Sequence, residues 1–326
     1  MTAHNHADCL GWITCVLGWL LQALGTLVLI LALLAIVLAV WRYFRYTQKE
    51  DDILVSHGPQ YSLLNDILLG KPDPFTAHFP DMAALSGHVY GNGEVPLPQG
   101  WSILHQGPLP VNQQTKNPVC FLIAKHEEKK LLALAIRGTD SLSDFIDNFH
   151  WLSKYVPRTK NQYKQVPDLL AIFQRHIDSH PGFTYVTTGH SLGGGLAQKA
   201  MYSTTHIKHA YAFNSSPVTG WADLKITDRK NNDHVKDSVV YRVHEHGDAL
   251  DLLRILIRVS YLLDPTSNKH PAVKSFRVDF IKGNPIKQHG IKPMAQGLSR
   301  AAANIASPSP RRKRSSNPAT GSPKKP

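Results

Sequence analysis

Thr187-Thr188-Gly189-His190-Ser191-Leu192-Gly193-Gly194-Gly195 is the stretch on which the reading of this chain turns. Gly189, Ser191 and Gly193 spell G-x-S-x-G, the pattern of a sharp turn that holds a serine between a strand and a helix. Such a turn brings neighbouring backbone too close for a Cβ, so glycine is needed two places either side. The flanks agree with it. Phe183-Thr184-Tyr185-Val186-Thr187-Thr188 is β-branched and aromatic, as a buried strand should be, and Leu196-Ala197-Gln198-Lys199-Ala200-Met201 consists of good helix formers. Strand, serine turn and helix in that order predict an α/β fold with Ser191 at the tip of a strand.

Outward from this stretch, short apolar runs alternate with helical ones from residue 46 to residue 306, the rhythm of a sheet flanked by helices. Val119-Cys120-Phe121-Leu122-Ile123-Ala124 and Leu131-Leu132-Ala133-Leu134-Ala135-Ile136 flank the polar turn Glu127-Glu128-Lys129-Lys130 and predict a hairpin. Strands are expected at His209–Phe213, Val239–Val243 and Phe276–Ile281, and a helix near Pro293.

A serine hydroxyl at neutral pH is a weak nucleophile, so Ser191 needs a base and the base needs an orienting acid. In α/β-hydrolases these follow the serine in the order acid, then histidine, each in a loop after a later strand. Asp248, a few residues beyond Val243, fits the acid; Asp251 and Glu245 are its rivals, while Asp264 before Pro265 reads as a turn residue. His289 follows the last expected strand with Gly290 beside it and fits the base; His270 is the rival. Negative charge on a reacting oxygen calls for two donors. The backbone N–H of Leu192 is one, and Arg137-Gly138-Thr139 at the end of the hairpin is placed to supply the other, through the N–H or hydroxyl of Thr139. His190 is expected to point away from the serine and to pack locally.

With Arg137-Gly138-Thr139-Asp140-Ser141, Thr188-Gly189-His190-Ser191-Leu192-Gly193-Gly194 and Tyr241-Arg242-Val243 leading to Asp248, the chain resembles the class 3 lipase family. The resemblance implies an α/β-hydrolase serine esterase acting on acylglycerols or phospholipids. It implies Ser191 as nucleophile, Asp248 as acid, His289 as base and Thr139 in the oxyanion hole. Two departures bear on subfamily and substrate. No His-x-Gly-Phe stretch occurs near Gln162–Leu170, and Phe213-Asn214-Ser215-Ser216-Pro217-Val218-Thr219-Gly220 stands where the family has a Gly-x-Pro-Arg-Val-Gly pattern. Residues 141–151, with Leu142, Phe145, Ile146 and Phe149 at helical spacing, occupy the place of the family's interfacial lid; a core-facing stripe fits the same spacing.

Residues 1–45 form a separate N-terminal region. No residue from Leu10 to Trp41 is charged, which exceeds the ~20 apolar residues that cross a bilayer. A cleaved leader would need a basic start and a shorter core, and this chain has neither. One retained transmembrane helix over about 10–41 is therefore expected, and with it membrane lipids as partners. Arg42, Arg45 and Lys49 follow the span, so the positive-inside rule puts the catalytic domain on the cytoplasmic side. Gly11, Gly18, Gly25, Ala32 and Ala39 recur every seventh residue on one stripe, where a second copy could pack as a homodimer. A domain so held is expected to act on lipid of its own membrane.

At the other end, residues 307–326 are rich in Pro, Ser and basic side chains and are expected to be a disordered tail. Arg311, Arg312, Lys313, Arg314, Lys324 and Lys325 supply half of the net charge of +12 in a chain of 326 residues. Beside a membrane helix, anionic headgroups suit such a tail better than nucleic acid does, and a merely solvated tail fits the same composition. The three cysteines have no disulfide or metal spacing, so neither metal nor cofactor is called for. The expected function is a membrane-anchored hydrolase of lipid carboxylic esters. An amidase or thioesterase on the same groups, and a catalytically dead membrane-anchored binding protein, are the other readings.

Overall fold

Among the described residues, eight strands form one sheet: β1 (Glu50–Val55), β2 (Trp101–Pro108), β3 (Cys120–His126), β4 (Leu131–Ile136), β5 (Thr184–His190), β6 (Ile207–Phe213), β7 (Val239–Glu245) and β8 (Ala272–Val278). Their spatial order is β1-β8-β7-β6-β5-β4-β3-β2. The computed structural model describes residues 4–47, 50–55, 61–71, 73–110, 117–138, 162–231, 235–250 and 270–306. β2, β3 and β4 pair antiparallel, and every pairing from β4 through β8 to β1 is parallel. The expected hairpin is the β3–β4 pair, turned at residues 127–130 with Lys130 at φ 48°. This is the expected α/β-hydrolase type of sheet, with helices on both faces.

Parallel strands need crossover helices, and these cover the two faces. On one face lie α2 (Tyr61–Leu68), α3 (Phe79–His88) and α8 (Ile291–Ala306), packed on Leu122, Ala133, Tyr211, Tyr241 and Phe276. On the other lie α4 (Val166–Ser179) and α5 (Leu192–Tyr202), packed on Ile123, Leu132, Leu134 and Val240. All six residues of β4 are buried, as a strand covered on both faces requires. Val166, Leu169, Phe173 and Ile177 bury one stripe of α4, each worth ~1.5–3 kcal/mol relative to exposure. Two short helices, α6 (Ile226–Asn231) and α7 (Pro285–Gln288), are also present.

The last strand begins and ends earlier than the apolar run Phe276–Ile281 suggests. Lys274 and Ser275 pair with Tyr241 and Arg242, whereas the Ile281 N–H goes to the Glu245 carboxylate at 2.7 Å instead of to a ladder. The N-terminal helix α1 runs from His4 to Thr47. Its segment Leu17–Leu38 has a mean hydropathy of 2.7 and none of it is buried within the protein. At ~1.5 Å per residue its length matches a hydrocarbon core of ~30 Å. The segments read as a lid, 141–151, and as a basic tail, 307–326, lie outside the described residues.

Candidate functional site

Ser191 sits between the end of β5 and the start of α5 with φ 55° and ψ −125°. For a residue with a Cβ this conformation costs about 1–3 kcal/mol and persists only where its surroundings hold it. Here the Ser191 N–H donates to Phe213 O at 3.1 Å, and its carbonyl accepts from Ser216 N at 2.9 Å and Gly194 N at 3.1 Å. A Cβ on Gly189 would overlap the Gly193 carbonyl, and one on Gly193 would overlap the carbonyl of Ile136. The two glycines therefore let the strand, the helix and the end of β4 meet at one point. Leu192 is the first residue of α5, and the first N–H groups of a helix have no acceptor within it.

His289 follows α7, whose N-cap Asn284 accepts from Lys287 N at 2.9 Å. Its Nδ1 lies 2.6 Å from Asp248 Oδ1, and both side chains are buried. A carboxylate only accepts, so Nδ1 donates and the neutral ring keeps its lone pair on Nε2. That Nε2 is buried without a hydrogen-bond partner. Ser191 and His289 line one cavity of about 370 Å³ together with Tyr90, His190, Ile286 and Lys292. At its mouth Glu94 and Lys292, both half-exposed, face each other at 3.8 Å.

Of the rival residues, His270 is on the other face of the sheet, against Trp221 and 3.3 Å from Tyr202 Oη. Glu245 ends β7 and binds the Ile281 N–H, which ties down the segment leading to His289. Burial pushes its carboxyl up from the ordinary 4.5 to about 7, against the pull of the Ile281 and Phe280 N–H groups and with help from Asp279 and Asp248. Thr139, Asp251 and Asp264 lie outside the described residues. Gly138, just before Thr139, is packed on the serine turn: a Cβ there would stand 2.5 Å from His190 O and 2.9 Å from Tyr90 Oη.

Two residues at the site escape a reading of motifs. His190 lines the cavity and does not bond locally: its Nε2 lies 2.7 Å from His289 O. A carbonyl only accepts, so Nε2 carries the proton and, in the neutral ring, Nδ1 accepts from Tyr90 Oη at 3.0 Å. The second is Asn214, fully buried at φ 40° after β6. Its Nδ2 donates to Gln288 O and His289 O, both at 3.0 Å, and its Oδ1 accepts from Glu245 N at 2.8 Å. Asn tolerates the left-handed region better than most residues, which fits it for this corner. Its presence in Phe213-Asn214-Ser215 was the visible signal, as a departure from the class 3 pattern. Among the described residues no His, Cys, Asp and Glu group could hold a metal ion.

Residues 81–256, over half of the chain, match the phospholipase-like family described as the Tle-like phospholipase domain. No curated protein matches the chain. Among solved structures, a lipase from Rhizopus microsporus var. chinensis is 15% identical over 60% of this chain and 69% of its own, with a TM-score of 0.39. Lipase II from Rhizopus niveus is 17% identical over 61% of this chain and 79% of its own, also at 0.39. The Lip2 lipase from Yarrowia lipolytica is 18% identical over 56% and 74%, again at 0.39. Likeness at that level carries no weight for mechanism.

Proposed function

The chain belongs to the family of Tle-like phospholipase domains, and from that premise we propose a membrane-anchored serine hydrolase that cleaves carboxylic esters of lipids, acylglycerol or phospholipid, through an acyl-enzyme on Ser191. The observation that carries the reading is a serine at φ 55° sharing a cavity with the unpartnered Nε2 of a histidine that is bonded to Asp248.

His289 Nε2 takes the hydroxyl proton as Ser191 Oγ bonds to the ester carbon. The carbonyl oxygen becomes an anion, received by the Leu192 N–H and by Thr139. The intermediate collapses by breaking the bond to the alcohol oxygen, and the alcohol leaves with the proton from His289. Water then repeats the sequence, its proton passing through His289, and frees the fatty acid. One ester and one water give one acid and one alcohol, with Ser191 restored. Asp248 keeps the imidazole in the tautomer both halves need.

The apolar exposed segment Leu17–Leu38 supports the anchor, and Arg42, Arg45 and Lys49 after it support a cytoplasmic catalytic domain. The test is a screen of the full-length protein in detergent on phospholipids, acylglycerols and short p-nitrophenyl esters, thioesters and amides. Ester cleavage lost in Ser191→Ala, with fluorophosphonate labelling of the parent alone, is expected. Labelling without turnover of any ester would favour the amidase or thioesterase. Absence of labelling would leave only a binding protein.

A further inference from the structure

The anchor and the site sit at opposite edges of the sheet. α1 ends at Thr47 and β1 begins at Glu50, and three Cα steps reach at most ~11 Å. Glu50 pairs with Val273, the second residue of β8, and Val55 with Val278, the last. The chain thus enters from the membrane helix at the edge where the parallel strands start. Ser191, Asn214, Asp248 and His289 all follow strand ends, at the other edge. Six residues at ~3.3 Å put about 17–20 Å between the edges along the strands. The apolar run reaches Trp41, and six further helical residues, ~9 Å of helix, separate it from Thr47.

The other C-terminal landmark lies at the anchor's edge as well. α8 begins two residues after His289, and Ile291 and Lys292 wall the cavity. It packs beside α3, whose last turn also walls the cavity through Gly87, while α3 begins next to Asp73 and Phe75. Asp73 is bonded to Tyr241 and Lys274, each the third residue of its strand, near the strand starts. α8 therefore runs back from the site, and its 16 residues cover ~24 Å. Ala306, which six basic residues follow in sequence, ends at the edge where the membrane helix enters.

We infer that the hydrolase works in trans: helix and basic tail hold one edge to the host bilayer, and the site faces a second, apposed lipid surface from which it takes its substrate. This rests on the anchored-hydrolase reading above. It replaces the expectation that the host bilayer supplies the lipid. Two attachments at one edge oppose tipping of the domain onto its own membrane, and an ester of that membrane would have to cross at least the strand length of about 17–20 Å to reach Ser191.

The full-length protein is reconstituted in phosphatidylcholine–phosphatidylserine vesicles carrying a phospholipid with one fluorescent acyl chain. These are tethered to protein-free vesicles of the same composition carrying a second fluorophore. A soluble p-nitrophenyl ester added outside counts the active, outward-facing molecules. Release of the apposed label about tenfold faster than the host label is expected, because tethering sets the local concentration that the site meets. A flexible Gly/Ser insertion of about 40 residues between Thr47 and Glu50 spans ~35 Å and should bring host release up to the apposed rate with the soluble ester unchanged. Host label released as fast as apposed label by the parent overturns the inference, as does an insertion that leaves the ratio unchanged. Failure to cleave the soluble ester sinks the hydrolase reading, and failure to stay with vesicles sinks the anchor; the inference falls with either, by a different readout.

Discussion

The two edges of the sheet use similar residues and do different things. At the starting edge, Asp73 accepts from Lys274 Nζ at 2.7 Å, Tyr241 Oη at 2.8 Å and Phe75 N at 3.0 Å. Burial raises the Asp73 carboxyl, but these bonds and the Lys274 charge outweigh it and hold it below 3.8. The ring of His209 is stacked on Phe75 at 3.5 Å, and burial lowers its pKa to about 4. At the finishing edge, Asp248 has a ring partner too. Each edge leaves a buried ring nitrogen without a partner, His209 Nδ1 and His289 Nε2. His289 shares its cavity with Ser191. A carboxylate and a histidine make chemistry where space for a substrate is left beside them, and structure where the space is filled.

The sharpest way to break this contrast is to make one substitution at both edges. Asp248→Asn should lower kcat by ~10⁴, since an amide favours the wrong tautomer of His289. Asp73→Asn should leave kcat per folded molecule unchanged and lower the unfolding free energy by about 1–3 kcal/mol, seen in the denaturant midpoint. Equal loss of kcat in the two variants would erase the distinction.

Asn214→Gly asks how far the finishing edge extends. Glycine accepts φ 40°, so backbone strain is not added, while the bonds to Gln288 O, His289 O and Glu245 N are lost. A fall in kcat of about 10–100-fold with KM unchanged is expected from a displaced His289. Loss of stability with kcat intact would make Asn214 merely structural.

The smallest effect concerns pH. The Glu245 carboxyl titrates at about 7 in the folded chain and near 4.5 when unfolded, so the folded state holds the extra proton between these values. Stability from this group is full below pH 4.5 and is lost as pH rises through 7. Glu245→Gln should flatten that part of the Tm–pH curve, whereas the curve of Asp73→Asn should lie below the parent at neutral pH and meet it at acid pH. The lowered Asp73 carboxyl contributes stability above its unfolded pKa, and loses it as pH falls through its folded value. An unchanged slope in Glu245→Gln would show that the buried carboxyl does not carry the dependence.

Much of this molecule was legible before folding. The serine turn, the β3–β4 hairpin and the apolar N-terminal helix rest on local periodicity and on glycines that local backbone demands, so they can be read from a window of residues. Chain order narrowed the acid and base to a few candidates without choosing among them by contact. His270 and His289 look alike as letters; one, before β8, meets Trp221 edge-on and the other, after β8, is bonded to Asp248, because the same strand leaves them at its opposite ends. The roles proposed for Ser191, Asp248 and His289 are read from that arrangement, and those proposed for Thr139 and Leu192 from the sequence.

By itself the sequence determined the kind of sheet, the place of Ser191 at a strand tip, and the presence of a span-length apolar helix. Each follows from short-range sterics and hydrophobic period. Only the tertiary structure decided that His190 and Asn214 both bind the His289 carbonyl across 99 and 75 residues of chain. It alone placed the end of the apolar N-terminal helix and the cavity at opposite edges. Such contacts depend on strand direction and order, which are set by long-range pairing that no local run of residues encodes.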